Sequence, residues 1–139
     1  MSLNYGKPPS PTQFALGMLA PLGLAVVPMR TEETPLPSYV ANGMSGPDDK
    51  YILTAIIVVK TFAQGNTPQE GFAVADKWAW AAHDLIIGLT PGDTVTLPNG
   101  DTAQPGWPEV KQSPEFRPYK DPYIVQYYSR YEIPLRYRP

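Results

Sequence analysis

Few residues of this 139-residue chain have the chemistry of a catalytic or metal site, and their spacing assembles none. His83 is the only histidine, so no second imidazole can help it to hold a metal ion. It lies beside the apolar stripe of a predicted helix, where we expect a surface or boundary histidine rather than a ligand or a base. The sequence contains no Gly-x-Ser-x-Gly element, phosphate-binding loop or dinucleotide-binding glycine pattern.

Asp48 and Asp49 are adjacent carboxylates that could bind Mg²⁺. They follow Ser45-Gly46-Pro47, however, and this context favours a polar turn before a strand. The chain has no cysteine, which excludes disulfides, thiolate metal sites and cysteine nucleophiles. We therefore assign no catalytic residue, no metal and no cofactor, and we expect the protein not to be an enzyme. An enzyme acting on a small molecule through Asp48, Asp49 or His83 is the less favoured alternative.

Tyrosine and arginine are concentrated near the C-terminus. Residues 111–139 carry six basic and three acidic side chains, a net charge of +3, whereas residues 1–110 carry five and ten, a net charge of −5. Aromatic rings beside basic grooves can stack on single-stranded nucleic acid, but tyrosine with arginine is also typical of protein–protein interfaces. The overall charge of −2 argues against non-specific nucleic-acid binding. Six of the nine tyrosines lie in this region: Tyr119, Tyr123, Tyr127, Tyr128, Tyr131 and Tyr137.

Proline determines where regular structure can be continuous, because it lacks an N–H group and disrupts helix interiors and central strands. The chain has 18 prolines, but none lies within 48–67, 69–90 or 123–133. The first window is rich in β-branched residues and apolar on both alternating faces. It predicts a central strand over Tyr51–Phe62 that is covered on both sides, at least along Ile52–Val59.

The second window predicts an amphipathic helix from about Pro68 to Ile87, with Thr67 as N-cap and Glu70 completing a capping box. Its apolar stripe begins at Phe72 and continues through Ala75, Ala79, Ala82 and Ile86. The third window predicts a long half-buried strand over Tyr123–Ile133, with an edge or a bulge at Pro134. Tyr128 and Arg130 belong to its more polar face.

Shorter elements fill the rest of the chain. Ser10 predicts the start of a short helix that must end before Pro21. We expect short strands at Leu24–Met29, Ser38–Ala41 and Trp107–Gln112, and a hairpin turning at Asn99-Gly100. This order predicts an α+β fold, with one long and one short helix packed on a mixed, mostly antiparallel sheet.

We expect one domain over residues 1–139, with residues 1–10 as an extended N-terminal arm. One long helix cannot cover both faces of the central strand. Either the short helix and loops cover the second face, or another subunit does. No apolar run approaches the length of a membrane span, and the N-terminus has no signal-peptide pattern.

Several ordered features resemble the tail terminator proteins of bacteriophages with long, non-contractile tails, in particular phages of actinobacteria. The resemblance covers roughly residues 51–137. It consists of a strand ending Ile57-Val-Val-Lys-Thr-Phe62, an alanine-rich helix with Ala75-Asp76 and Ala82-His83-Asp84, a Leu97-Pro98-Asn99-Gly100 hairpin, the Pro-containing segment Val110–Phe116, and the final strand Tyr123–Leu135.

The resemblance implies a structural protein of the virion that needs no cofactor. Such proteins form a ring, usually of six copies, on the end of the tail tube, where they stop tube polymerisation and present a docking face to the head–tail connector or stopper. Genomic DNA would pass through the lumen without specific binding. The expected location is the head–tail junction of the virion, and the host cytoplasm during assembly. No membrane partner is implied.

Candidate contacts with neighbouring subunits or partners lie at three places. Asp48, Asp49 and Lys50 precede the central strand, and Tyr128 and Arg130 lie on the last strand. The third group lies in the Pro-bounded segment between them: Phe116, Arg117, Tyr119 and Lys120. Two other functions remain open, namely another head–tail junction protein, such as a head-completion stopper or adaptor, and a nucleic-acid-binding domain.

Overall fold

In the computed structural model, which describes residues 8–137, both predicted helices begin at their predicted caps. Helix α1 spans Pro11–Leu19, and the Ser10 hydroxyl accepts a hydrogen bond from the Gln13 N–H at 3.3 Å. Helix α2 spans Pro68–Ile87, and Thr67 accepts one from the Glu70 N–H at 3.2 Å. The Glu70 carboxylate accepts from the Asn66 N–H rather than from the N-cap, so the capping box is one residue wider than expected.

A single five-stranded sheet runs through the fold. The strands are β1 (Ala25–Val27), β2 (Ser38–Asp48), β3 (Ile52–Ala63), β4 (Val95–Thr96), β5 (Thr102–Ala103), β6 (Glu109–Arg117) and β7 (Val125–Arg136). The large sheet has the order β1-β2-β3-β7-β6, and β4 pairs with β5 in a separate hairpin. Only β1 and β2 are parallel; the other pairs are antiparallel. The predicted α+β fold with a mixed sheet is confirmed.

The core lies between one face of this sheet and the two helices. Alternate residues of β3 from Leu53 to Ala63 are buried, as expected of a strand with a period of two. In β7, Tyr131, Ile133 and Leu135 lie on the same face and are fully buried. The helices contribute Phe14, Ala15, Met18, Leu19, Ala82 and Ile86 to this cluster.

Two strands are longer than the sequence predicts. The expected Ser38–Ala41 strand continues to Asp48. The added part contains Gly43 and Gly46, which have no side chains and therefore obscure the alternation of apolar and polar residues in the sequence. The expected Trp107–Gln112 strand instead spans Glu109–Arg117. It passes Pro114 because β6 is an edge strand whose pairing with β7 is irregular around that residue.

Two predicted local features take a specific form. The hairpin forms, but only Gly100 adopts a positive φ, of 91°, so the turn places a left-handed glycine after its central residues. At Pro134, the carbonyl accepts a hydrogen bond from the Gly106 N–H at 2.7 Å. The proline nitrogen therefore faces away from β3, but an isolated bridge from Pro105 to Leu135 occupies that side of β7 beyond the end of β6. The register with β3 has no shift at Pro134, so the predicted edge or bulge is wrong. The predicted N-terminal arm lies mostly outside the described residues, and the single domain stays a prediction.

Gly43 allows α1 to approach the sheet closely. A Cβ atom added to Gly43 would lie 2.3 Å from the carbonyl carbon of Pro11. Thr12 fixes the same contact, because its hydroxyl donates to the Gly43 carbonyl and accepts from the Gly43 N–H, each at 3.1 Å. The first turn of α1 therefore rests on the β2 backbone.

Replacing this glycine should be destabilising. We expect Gly43→Ala to lower the free energy of unfolding by roughly 1–3 kcal/mol, because the added methyl group must displace backbone. Chemical denaturation measures the change. Gly92→Ala is the matched control, since no atom lies within 4 Å of its added Cβ. Equal stability changes in the two variants would contradict the close packing of α1 on β2.

Candidate interaction surface

The sheet face opposite the helices is covered at one end only. At that end Val40, Phe62 and Ile124 are buried beneath partly buried residues that include Leu36 and Tyr119. The rest of this face consists of exposed or half-buried side chains, and we call it the open face. Its members are Asn42 and Met44 on β2, Ile52, Thr54, Ile56, Val58 and Lys60 on β3, Tyr128, Arg130, Glu132, Pro134 and Arg136 on β7, and Gln112, Glu115 and Arg117 on β6.

The expectation that the central strand is covered on both sides is therefore wrong for most of its length. Both described helices pack on the same face, because the apolar faces of α1 and α2 share one core cluster. On the open face, Met44 is 58% exposed and Ile52 is 39% exposed. The sequence left two alternatives for the cover of the second face, namely the short helix with loops, or another subunit. In the structure the short helix packs on the first face, and loops cover only one end of the second.

Charged and aromatic groups line the β6 and β7 side of the open face. The Arg117 guanidinium lies 4.0 Å from the Tyr128 ring centroid and 2.6 Å from the Glu115 carboxylate. Lys111 lies 2.7 Å from Glu109 and 3.1 Å from Glu132. Ion pairs this exposed contribute little to the free energy of folding. We therefore interpret them as orienting these charged side chains on the open face. Among residues 8–137, Arg130 has no carboxylate within 4 Å.

The structure brings together only some of the predicted contact residues. Arg117, Tyr128 and Arg130 meet on the open face. Tyr119 lies at the covered end, edge-on to Phe62 with ring centroids 5.0 Å apart, and the Lys120 ammonium is 6.0 Å from its ring. Asp48, Asp49 and Lys50 form the exposed turn at the other end of β3. Phe116 points to the helix side, where its ring centroid is 4.9 Å from that of Phe72.

The two aspartates stabilise the β2–β3 turn. Asp49 Oδ1 accepts hydrogen bonds from the N–H groups of Tyr51 at 2.9 Å and Ile52 at 2.7 Å, and these bonds lower the pKa of Asp49. Asp48 accepts from the Lys50 N–H at 2.9 Å and from the Tyr137 hydroxyl, and this second bond raises the pKa of Tyr137 to about 12. Lys50 adopts a φ of 74°, as the turn requires. The predicted polar turn is confirmed.

His83 is buried, so its predicted surface or boundary position is wrong. It is 8% exposed, and its Nδ1 lies 2.9 Å from the Tyr131 hydroxyl. Burial raises the pKa of Tyr131 to about 12. The spacing contained the signal, because His83 follows the buried Ala79 by four residues. Within residues 8–137, no three side chains of the His, Cys, Asp or Glu type cluster as metal ligands.

A second surface escaped the sequence analysis. Phe72, Trp80 and Ile87 are exposed on one side of α2, at steps of eight and seven residues that are each close to two helical turns. They lie on the side of α2 that faces β6, where Val110 and Phe116 are also exposed. We call these five residues the edge patch. It was missed because Phe72 was assigned to the buried stripe, whereas Gly71 occupies that position.

No family model matches the chain, and no curated protein matches it significantly. In the part of the chain that the structure describes, no helix is both long and apolar enough to cross a membrane.

The turn predicts a specific pH dependence. Hydrogen bonds from two N–H groups favour the charged form of Asp49 and lower its pKa from the ordinary 3.8 in the folded state. The resulting stabilisation is complete above 3.8 and is lost as the pH falls through the lowered pKa. We expect Asp49→Asn to be less stable than the wild type at pH 7, with the difference shrinking in acid. Denaturation at a series of pH values tests this; a difference that stays constant down to acidic pH would contradict it.

Proposed function

We propose that this protein is a phage tail terminator, which forms a ring on the end of the tail tube, stops tube polymerisation and docks the head–tail connector. The observation that carries the proposal is the open face. A central strand with apolar side chains left in solvent favours burial against another chain. Together with the resemblance in element order over residues 51–137, this supports assembly as the function.

The length of the sheet suits a ring subunit that contacts one partner at each end of the ring axis. Strand β3 has 12 residues, a length of roughly 40 Å at about 3.3 Å per residue. Asp48, Asp49 and Lys50 lie at one end of it, and Tyr119 and Lys120 lie near the other. In a ring with β3 near the axial direction, one group would meet the tube and the other the connector.

The positions of the clustered tyrosines favour this proposal over a nucleic-acid-binding domain. Base stacking needs accessible aromatic faces along a basic groove. In the structure Tyr131 is buried, Tyr127 faces the helix side, and the Tyr128 ring is covered by Arg117. The clustered tyrosines are therefore divided between faces of the sheet. A stopper or adaptor remains the second candidate, because the same open face would serve it.

Capping of tail tubes tests the proposal directly. Purified protein is mixed with tail tube protein during polymerisation, and the products are examined by electron microscopy and native mass spectrometry. We expect shorter tubes that end in a ring, usually of six copies. A protein that stays monomeric and leaves tube length unchanged would overturn the proposal. Rings that bind the connector but not the tube would instead identify a stopper or adaptor.

Tyr128 should matter for assembly more than for folding. It is half-buried on the open face, so we expect Tyr128→Ala to impair ring formation while costing less stability than Tyr131→Ala, which removes a fully buried ring at roughly 3–5 kcal/mol. Native mass spectrometry and denaturation measure the two effects. Tyr123→Ala, at a position that is 71% exposed and outside the open face, is the control. A loss for Tyr128→Ala as large as for Tyr131→Ala would place Tyr128 in the core.

A further inference from the structure

We infer that the edge patch of one copy packs against the open face of the next copy around the ring. The inference rests on the ring assembly in the proposed function, and it specifies which surfaces meet. It is carried by the exposure, charge and placement of the two surfaces.

The edge patch gathers five exposed apolar side chains on α2 and the neighbouring strand β6. Its members are between 39% and 47% exposed, although each has a large apolar side chain. Phe72 contacts Phe116 directly, and Trp80 stacks edge-on to His83, with ring centroids 5.0 Å apart. With aromatic side chains offering roughly 150–250 Å² each, the patch presents on the order of 400 Å² to solvent. The largest apolar patch on a typical monomer measures about 300–600 Å² and is often functional, so this patch is a candidate interaction site.

The charges of the two surfaces are complementary. Beside the edge patch, the outer side of α2 carries Glu70, Asp76 and Asp84 against Lys77, so its net charge is 1 − 3 = −2. On and beside the open face the count is 5 − 3 = +2, from Lys60, Lys111, Arg117, Arg130 and Arg136 against Glu109, Glu115 and Glu132. Opposite charges around two apolar surfaces favour their pairing and oppose the pairing of either surface with itself.

The placement of the surfaces determines the kind of assembly. The edge patch lies on the helix side of the sheet and the open face on the other side. Contact between them is therefore heterologous, which generates a ring when the rotation closes and does not stop at a two-fold dimer. Four strands at about 4.8 Å spacing and about seven residues at 3.3 Å give the open face a flat area on the order of 450 Å². This is a little more than half of the roughly 800 Å² per partner of a standard interface.

The backbone edge of β6 is a poorer contact than its side chains. Pro114 lacks an N–H group, the register shifts twice along the strand, and Lys111 forms ion pairs there. These features hinder the addition of another strand. The neighbouring copy therefore meets the α2 side chains rather than extending the sheet.

Because the chain contains no cysteine, crosslinking can test the pairing on a clean background. One cysteine is introduced on each surface, Asp84→Cys beside the edge patch and Arg130→Cys on the open face. The full-length double variant is treated with a short bismaleimide, alone and in the presence of tail tubes. We expect a ladder of covalent dimers, trimers and larger species, and at most background dimers from each single variant. Glu33→Cys with Thr94→Cys, two exposed positions outside both surfaces and outside the predicted contact groups, is the control and should give no ladder.

The outcomes separate this inference from the proposed function. A double variant that assembles by native mass spectrometry but gives no more ladder than the control would overturn the surface pairing and leave the ring intact. Efficient dimers from either single variant would also overturn it, because they indicate a two-fold contact. A protein that is monomeric both alone and with tubes would overturn the ring assembly, and the pairing with it.

Discussion

The close packing of both helices on one face of the sheet is the constraint on which the rest of this structure depends. Small residues make it possible: Gly43 lets α1 approach β2, and Gly71, Ala75, Ala79 and Ala82 form most of the buried face of α2. A helix with such small residues lies near the strands, and its larger apolar residues Phe72, Trp80 and Ile87 stay exposed outside this contact. With both helices committed there, the described chain has only loops to place on the second face.

Those loops cover the end of the sheet near Phe62, and the prolines explain how. The 28–37 and 118–124 segments contain five of the 18 prolines, and their restricted backbone loses less entropy when it is ordered. Arg30 joins them, because its guanidinium lies 5.6 Å from the Phe62 ring and 5.8 Å from the Tyr119 ring. The proline excess therefore belongs to loops that pack against the sheet, and the open face begins where they end.

Local rules predicted the elements better than they predicted their partners. The caps at Ser10 and Thr67 and the period of β3 depend on nearby residues, so the sequence revealed α1, α2 and the central strand. The extents of β2 and β6 depend on what pairs with them, since Gly43 and Pro114 are unfavourable in isolated strands. Likewise, the sequence placed Tyr128 and Arg130 on the polar face of β7. It could not show that this face is left without a helix, or that His83 is buried, because both depend on where the helices pack.

The irregular edge strand has a consequence for the unassembled protein. A regular β6 would present open hydrogen-bonding groups to any other exposed strand, and such edges favour strand addition and fibres at high concentration. Pro114, the two register shifts and the Lys111 ion pairs hinder that route. This edge of the sheet is therefore poorly suited to adding another strand, while the exposed apolar side chains of the two surfaces stay accessible.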